Sequence, residues 1–191
     1  MKHLDDRHSL GCCPPLQITW LWDSESSNAL VFVVSVDGVH CKINEPRKEP
    51  SAKWYSHKHA QAGLVYELGV AVFESKIVWI NGPFEASKSD ITIFREGLVN
   101  AIPENAKAIG DRGYRKGGKK ITTRNTLDKE NVKTFKRRVR GRHENLNARI
   151  KSFKCMAENF RHGKDKHSVV FEAICVCVQF DMENGHPLWD V

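Results

Sequence analysis

The chain lacks any apolar run long enough to cross a membrane. Its longest, Ala29–Val36, already contains Ser35, whereas a spanning helix needs roughly 20 apolar residues. The first residues, Met1–His8, are polar and mixed in charge, so they do not read as a secretory signal. Cysteine is present but not in metal-binding order. The six residues Cys12, Cys13, Cys41, Cys155, Cys175 and Cys177 form no Cys-x-x-Cys, and no second pair stands at zinc-finger distance. That argues against structural zinc and for reduced thiols in a reducing compartment. There is no internal repeat, no low-complexity tract and no aromatic motif of the kind that stacks single-stranded RNA.

What is present suits one domain with a real core. The 191 residues are 40% hydrophobic and 28% charged, ordinary for a soluble globular protein. The formal charge is +7 and the pI about 9.1, which favours a polyanionic partner. That charge is unevenly spread. Between Arg112 and Lys154 there are sixteen Lys and Arg against three Asp and Glu, a net of +13, so the rest of the chain is slightly acidic. Such a stretch is the footprint expected of a protein that grips phosphate backbone, although a solvated helix face or a nuclear-import patch has the same composition.

Residues 1–29 read as an irregular N-terminal segment broken at Cys12-Cys13-Pro14-Pro15, and residues 30–191 as the folded domain. Leu30–Val36 predicts a buried strand ending in an Asp37-Gly38 turn. A polar loop follows over 44–56. Strands are expected at Leu64–Phe73 and Ile77–Ile80, joined by a Glu74-Ser75-Lys76 turn, the second stopped by Asn81-Gly82-Pro83. Ser87 and Asp90 fit a capping box for a helix running from Ser89 to about Asn100. Ala106–Gly110 is a short strand with Asp111 at its end, and Ile121–Arg124 is a candidate for another. From Asn131 the period changes to threes and fours through Val132, Phe135, Val139, His143, Leu146, Ile150, Phe153, Ala157 and Phe160. This predicts one long helix kinked at Gly141. Ser168–Phe180 predicts a second helix, largely buried from Val169 to Val178. The order suits an α/β fold with a mixed sheet flanked by helices.

Three acids stand in unusual places. Asp37 and Asp111 each close an apolar strand, and Glu144 lies within the most basic segment, among Arg138, Arg140, Arg142 and Arg149. Singly, each has a structural explanation in turn chemistry or ion pairing. Together they match what two-metal phosphoryl transfer needs: a few hard oxygen ligands that converge from two strand ends and a helix.

Four blocks then carry a resemblance to a family. Ser35-Val36-Asp37-Gly38-Val39-His40 is similar to a first-aspartate strand, and Ile109-Gly110-Asp111-Arg112-Gly113-Tyr114 to a second-aspartate block. Arg140-x3-Glu144-x6-Lys151 fits the pattern around a catalytic glutamate, and Phe160-Arg161-His162 through Pro187-Leu188-Trp189 resembles a closing helix. They occur in order, with 73 residues between the aspartates and 32 between Asp111 and Glu144. The chain thus resembles the DDE-superfamily endonucleases of the Harbinger type, relatives of the insertion-sequence transposases with a ribonuclease-H-like fold. The insertion-sequence pattern has a tyrosine three positions before the arginine, where this chain has Arg137.

The resemblance implies a metal-dependent DNA endonuclease and strand transferase. Asp37, Asp111 and Glu144 would bind two Mg²⁺ or Mn²⁺ ions, and Arg137, Arg138, Arg140, Arg142 and Lys151 would contact DNA. It also implies a nuclear location, otherwise cytoplasmic, with no membrane association. With about thirty residues before the first strand and no helix-turn-helix pattern in them, a catalytic domain without its end-recognition module is expected, served by a separate DNA-binding partner protein or by homo-oligomerisation. The alternative is a catalytically silent, domesticated transposase-derived DNA-binding protein. Asp90 is a fourth acid for which the capping box supplies a sufficient structural reason, and Lys58, His40 and His59 are expected near the first strand's end.

Overall fold

The computed structural model describes residues 31–191 apart from Lys48; the expected irregular segment 1–29 lies outside the described residues. The central strand is β1 (Val31–Lys42). A one-turn helix, α1 (Ser51–Trp54), and a two-residue strand, β2 (Tyr55–Ser56), lead into β3 (Gln61–Ala71), which turns at 72–76 into β4 (Ile77–Glu85). Two short helices, α2 (Asp90–Glu96) and α3 (Leu98–Ala101), precede β5 (Ala106–Gly110) and β6 (Ile121–Thr122). The chain closes with α4 (Glu130–Ser152), α5 (Lys154–Ala157) and α6 (His167–Glu183).

Strand β1 pairs antiparallel with β3 and parallel with β5; β4 flanks β3, and β6 lies parallel to β5. The resulting order is β4-β3-β1-β5-β6, with β2 paired to the first two residues of β3. Side-chain alternation along β1 feeds two cores. Val34 and Val36 pack with Phe94, Leu98 and Ile102 under α2 and α3. Val39 and Cys41 face the other way, into a core built with Leu146, Ile150, Phe171, Ile174 and Val178 of α4 and α6. A mixed sheet of three antiparallel and two parallel strands with helices on both faces is the ribonuclease-H-like arrangement. Among the described residues no helix is long and apolar enough to cross a membrane.

Several local expectations are corrected by tertiary pairing. Asp37-Gly38 is not a turn: β1 runs through it, because Asp37 and Gly38 are paired with Leu68 and Glu67 on β3. Asn81-Gly82-Pro83 does not stop β4 either. There β4 is an edge strand with a register shift opposite Val65–Glu67, where a proline without an N–H is tolerated. Gly82 adopts φ +137°, a conformation that suits glycine. The long helix runs unbroken through Gly141 and ends at Ser152 instead of reaching Phe160. Phe153 turns extended, and this redirects the chain so that Met156 and Phe160 reach the core below β1. Phe160 is tied there by its N–H to the Lys42 carbonyl, at 3.0 Å. On α6 only one face is buried, through His167, Phe171, Ile174, Cys175, Val178 and Met182; Val169, Val176 and Phe180 are exposed.

Candidate active site at the ends of two parallel strands

The parallel register of β1 and β5 pairs Val36 with Gly110, so the next residue on each chain is an aspartate and the two stand side by side. Asp37 sits in mid-strand with both carboxylate oxygens engaged. Oδ1 accepts the Gly38 N–H at 2.9 Å, and Oδ2 accepts Nδ2 of Asn147, on α4, at 3.1 Å. Asp111 follows the last residue of β5 and caps the short 3₁₀ turn Arg112–Tyr114, its Oδ1 accepting the Gly113 N–H at 2.7 Å.

A third aspartate joins them. Asp90 is the first residue of α2, where the N-cap is Ser89 and not Ser87, and Ser89 makes no side-chain cap bond. The expected capping box is therefore not formed. The Asp90 carboxylate instead lies over two glycines. A Cβ on Gly38 would stand 2.7 Å from its Oδ1, and a Cβ on Gly113 would stand 2.6 Å from its Oδ2. Any side chain at either glycine would push Asp90 away from Asp37 and Asp111. The sequence signal was the glycine following each of the first two aspartates by one or two residues, a feature more readily taken for turn chemistry.

Crowding of these acids leaves an electrostatic mark. The Asp37 carboxyl is pushed up to about 6, first by burial and then by the Asp111 charge, with the Gly38 N–H working against the shift and Asp90 adding to it. Asp90 is likewise raised, first by burial; Lys58 opposes the rise and Asp111 reinforces it. Lys58, on the turn before β3, is thus a cation whose charge reaches both acids of the cluster. Beneath it Glu67 and Tyr114 are each 1% exposed, and burial pushes Glu67 up to about 7 although it accepts Trp79 Nε1 at 2.9 Å.

The helix side of the site is less complete. Glu144 lies on α4 with its side chain 68% exposed and pairs with Arg140 at 3.6 Å. The α4 residue that touches Asp37 is Asn147, one helical turn further on. Among the described residues, no three His, Cys, Asp or Glu side chains form a ready-made group for one ion. The donors nonetheless fit a hard divalent cation. They are carboxylate oxygens, which Mg²⁺ and Mn²⁺ prefer, and a cation between the acids would relieve the Asp111 repulsion that adds to the burial-driven rise of Asp37.

The basic residues divide into two sets. Arg137 and Arg138 are exposed, Arg138 donating to the Asp190 carbonyl at 2.7 Å. Arg142 is not on the polar face: it is 2% exposed and its guanidinium clamps the β3–β4 turn by donating to the carbonyls of Val72 and Glu74. Lys136, from the same basic run, is buried too, bonded to Thr122 Oγ1 and Asp128, each at 2.8 Å. Lys151 spends its ammonium on the carbonyls of His40 and Met156, and burial lowers its pKa. These three tie elements together and do not present free charge to a phosphate. His40 and His59 stack at 4.3 Å near the end of β1. Burial, with His59 and nearby lysines, holds His40 down to about 4.

A family model for DDE superfamily endonucleases matches residues 36–179. That span starts one residue before Asp37 and contains Asp90, Asp111 and Glu144. No curated protein and no solved structure matches the chain. The family match covers about three-quarters of the sequence, and on it the chain belongs to the DDE superfamily of endonucleases.

Proposed function

We propose that this protein is a transposase-like DNA endonuclease and strand transferase of the Harbinger type, with Asp37, Asp111 and Glu144 as its metal-binding triad. The observation that carries this reading is the β1–β5 register, which sets Asp37 beside Asp111, with Asp90 cradled over Gly38 and Gly113 against them. Asp37 and Asp111 would hold two Mg²⁺ or Mn²⁺ ions from the sheet and Glu144 from the helix. Bound ions supply a lowered water pKa and neutralise charge at the scissile phosphate.

The protein's own groups do the rest. The Gly38 N–H and the Asn147 amide orient Asp37, and the Gly113 N–H orients Asp111. Glu144 joins by leaving Arg140, which frees Arg140 for a phosphate. An exposed i,i+4 pair is worth about 0.3–0.5 kcal/mol, so little holds the glutamate back. Arg137 and Arg138, on the exposed face of α4, contribute salt-sensitive phosphate contacts without sequence preference. Recognition of transposon ends by a separate DNA-binding protein, assembly as a homo-oligomer and a nuclear location belong to the same proposal, supported by the family resemblance.

The outward position of Glu144 favours a second reading: a silent, transposase-derived DNA-binding protein in which the acids are relics. Mn²⁺-dependent nicking of supercoiled plasmid by wild type beside Asp111→Asn separates the two. Nicking by wild type alone is expected. Nicking by neither, with both folded and DNA-bound, would leave the silent descendant; equal nicking by both would remove the triad.

A further inference from the structure

The α4 residue in contact with the first aspartate is an amide, and it is half satisfied. Asn147 Nδ2 donates to Asp37 Oδ2 at 3.1 Å, whereas its Oδ1 is buried with no hydrogen-bond partner. A buried amide oxygen left unpaired is costly, and Asn147 as a whole is only half-buried on α4, so packing alone does not call for an amide at the position. The bond to Asp37 is what the amide supplies. Together with the Gly38 N–H on Oδ1 it gives each Asp37 oxygen one donor, which fixes the plane of the carboxylate and leaves a lone pair on each oxygen free. The donor also faces a carboxylate crowded by Asp111 and Asp90, where a positive dipole offsets repulsion.

We infer that Asn147 is a positioning residue for divalent-cation binding: its amide N–H locks the Asp37 carboxylate in the orientation that faces Asp111, and its unpaired carbonyl oxygen is a neutral hard donor at the same site. The inference rests on the reading of Asp37 as a metal ligand. It makes Asn147, and not Glu144, the α4 side chain hydrogen-bonded to Asp37. Glu144 and Asn147 lie three residues apart, on one face of the helix, so Glu144 would be offered to a bound ion from the face that already holds Asp37.

Free Mn²⁺, measured by electron paramagnetic resonance during titration of the full chain without DNA, tests this independently of nicking. Asn147→Leu keeps the volume and removes both polar atoms; it is expected to weaken Mn²⁺ binding about tenfold, the scale of one hydrogen bond to a charged group, with the thermal unfolding midpoint preserved or raised. Asn147→Asp loses the donor but keeps a hard oxygen at the position, and is expected to bind Mn²⁺ more tightly than Asn147→Leu at pH 8, recovering affinity toward wild type. Wild-type affinity in Asn147→Leu would overturn the positioning role, and an Asn147→Asp protein that folds but binds no better than the leucine variant would overturn the role of the side-chain oxygen as a donor to the ion. Asp37→Asn serves as the reference. If it too binds Mn²⁺ like wild type, the reading of Asp37 as a ligand has failed; if it alone loses binding, only the role of Asn147 has.

Discussion

Asp37 and Glu144 belong to elements packed against each other, yet their surroundings differ sharply. Asp37 is held in the plane of a sheet by two hydrogen bonds and lifted to about 6 by burial and neighbouring acids. Glu144 stands in solvent on a helix, paired loosely with Arg140. The same contrast divides the basic residues: Arg142 is locked under the β3–β4 turn, while Arg137, five residues earlier, is exposed. Strand register dictates where the sheet acids lie, so the fold itself assembles half of the site and bears the repulsion. The helix carries both locked side chains, such as Arg142, and exposed ones, and its acid Glu144 is among the exposed, held only by Arg140.

That comparison can be broken at several points. A large effect on cleavage is expected at Asp90. If the sheet-side acids act as a unit, Asp90→Asn lowers the rate of Mn²⁺-dependent plasmid nicking on the order of a hundredfold or more, the scale seen when one preorganised electrostatic group is removed. A rate within threefold or so of wild type would confine Asp90 to helix structure. Next, Asp37→Asn should stabilise the ion-free protein at pH 8 by up to about 3 kcal/mol, the equivalent of its upward shift. The sign follows from linkage. A carboxyl raised in the folded state costs nothing below its unfolded value near 3.8, and the cost accumulates as pH rises to about 6 and stays constant above. The gap in denaturant stability between variant and wild type should therefore close by about pH 4; a gap independent of pH would point to packing instead.

Arg142→Met is expected to cost about 2–3 kcal/mol of stability, since two turn carbonyls lose charge-assisted donors, without changing DNA affinity. Arg137→Ala should do the reverse, reducing the salt dependence of DNA binding by about one unit of slope and leaving stability within about 0.5 kcal/mol. The smallest effect on stability falls on Glu144. Glu144→Gln should leave ion-free stability unchanged to within about 0.5 kcal/mol while abolishing nicking; a larger loss of stability would show a structural role that its exposed position does not suggest.

Much of this was legible in the chain because it was local. Ala106–Gly110 is a short, mostly apolar segment broken only by Lys107, and the strand occupies those five positions, with Asp111 next. The 3.6-residue period placed Val139, His143, Leu146 and Ile150 on the buried face of α4. What escaped was set by distant partners. Asp37-Gly38 has the composition of a turn and becomes strand only because β3 runs alongside it. Asp90 reads as a capping residue until Gly38 and Gly113 are brought beneath it. Arg142 and Lys151 look like solvated cations until the carbonyls of Val72, Glu74, His40 and Met156 are seen to surround them. On α6 an almost continuous apolar run concealed which face would be covered, and Val176 and Phe180 remain exposed.

The central claim, that Asp37 and Asp111 hold a divalent cation, is tested most directly by thermal unfolding at pH 8 with increasing Mn²⁺, wild type beside Asp111→Asn. A ligand that binds only the folded state raises its stability with the logarithm of concentration. The account predicts a rising, saturable-site midpoint for wild type and a flat one for Asp111→Asn; parallel behaviour of the two proteins would contradict it.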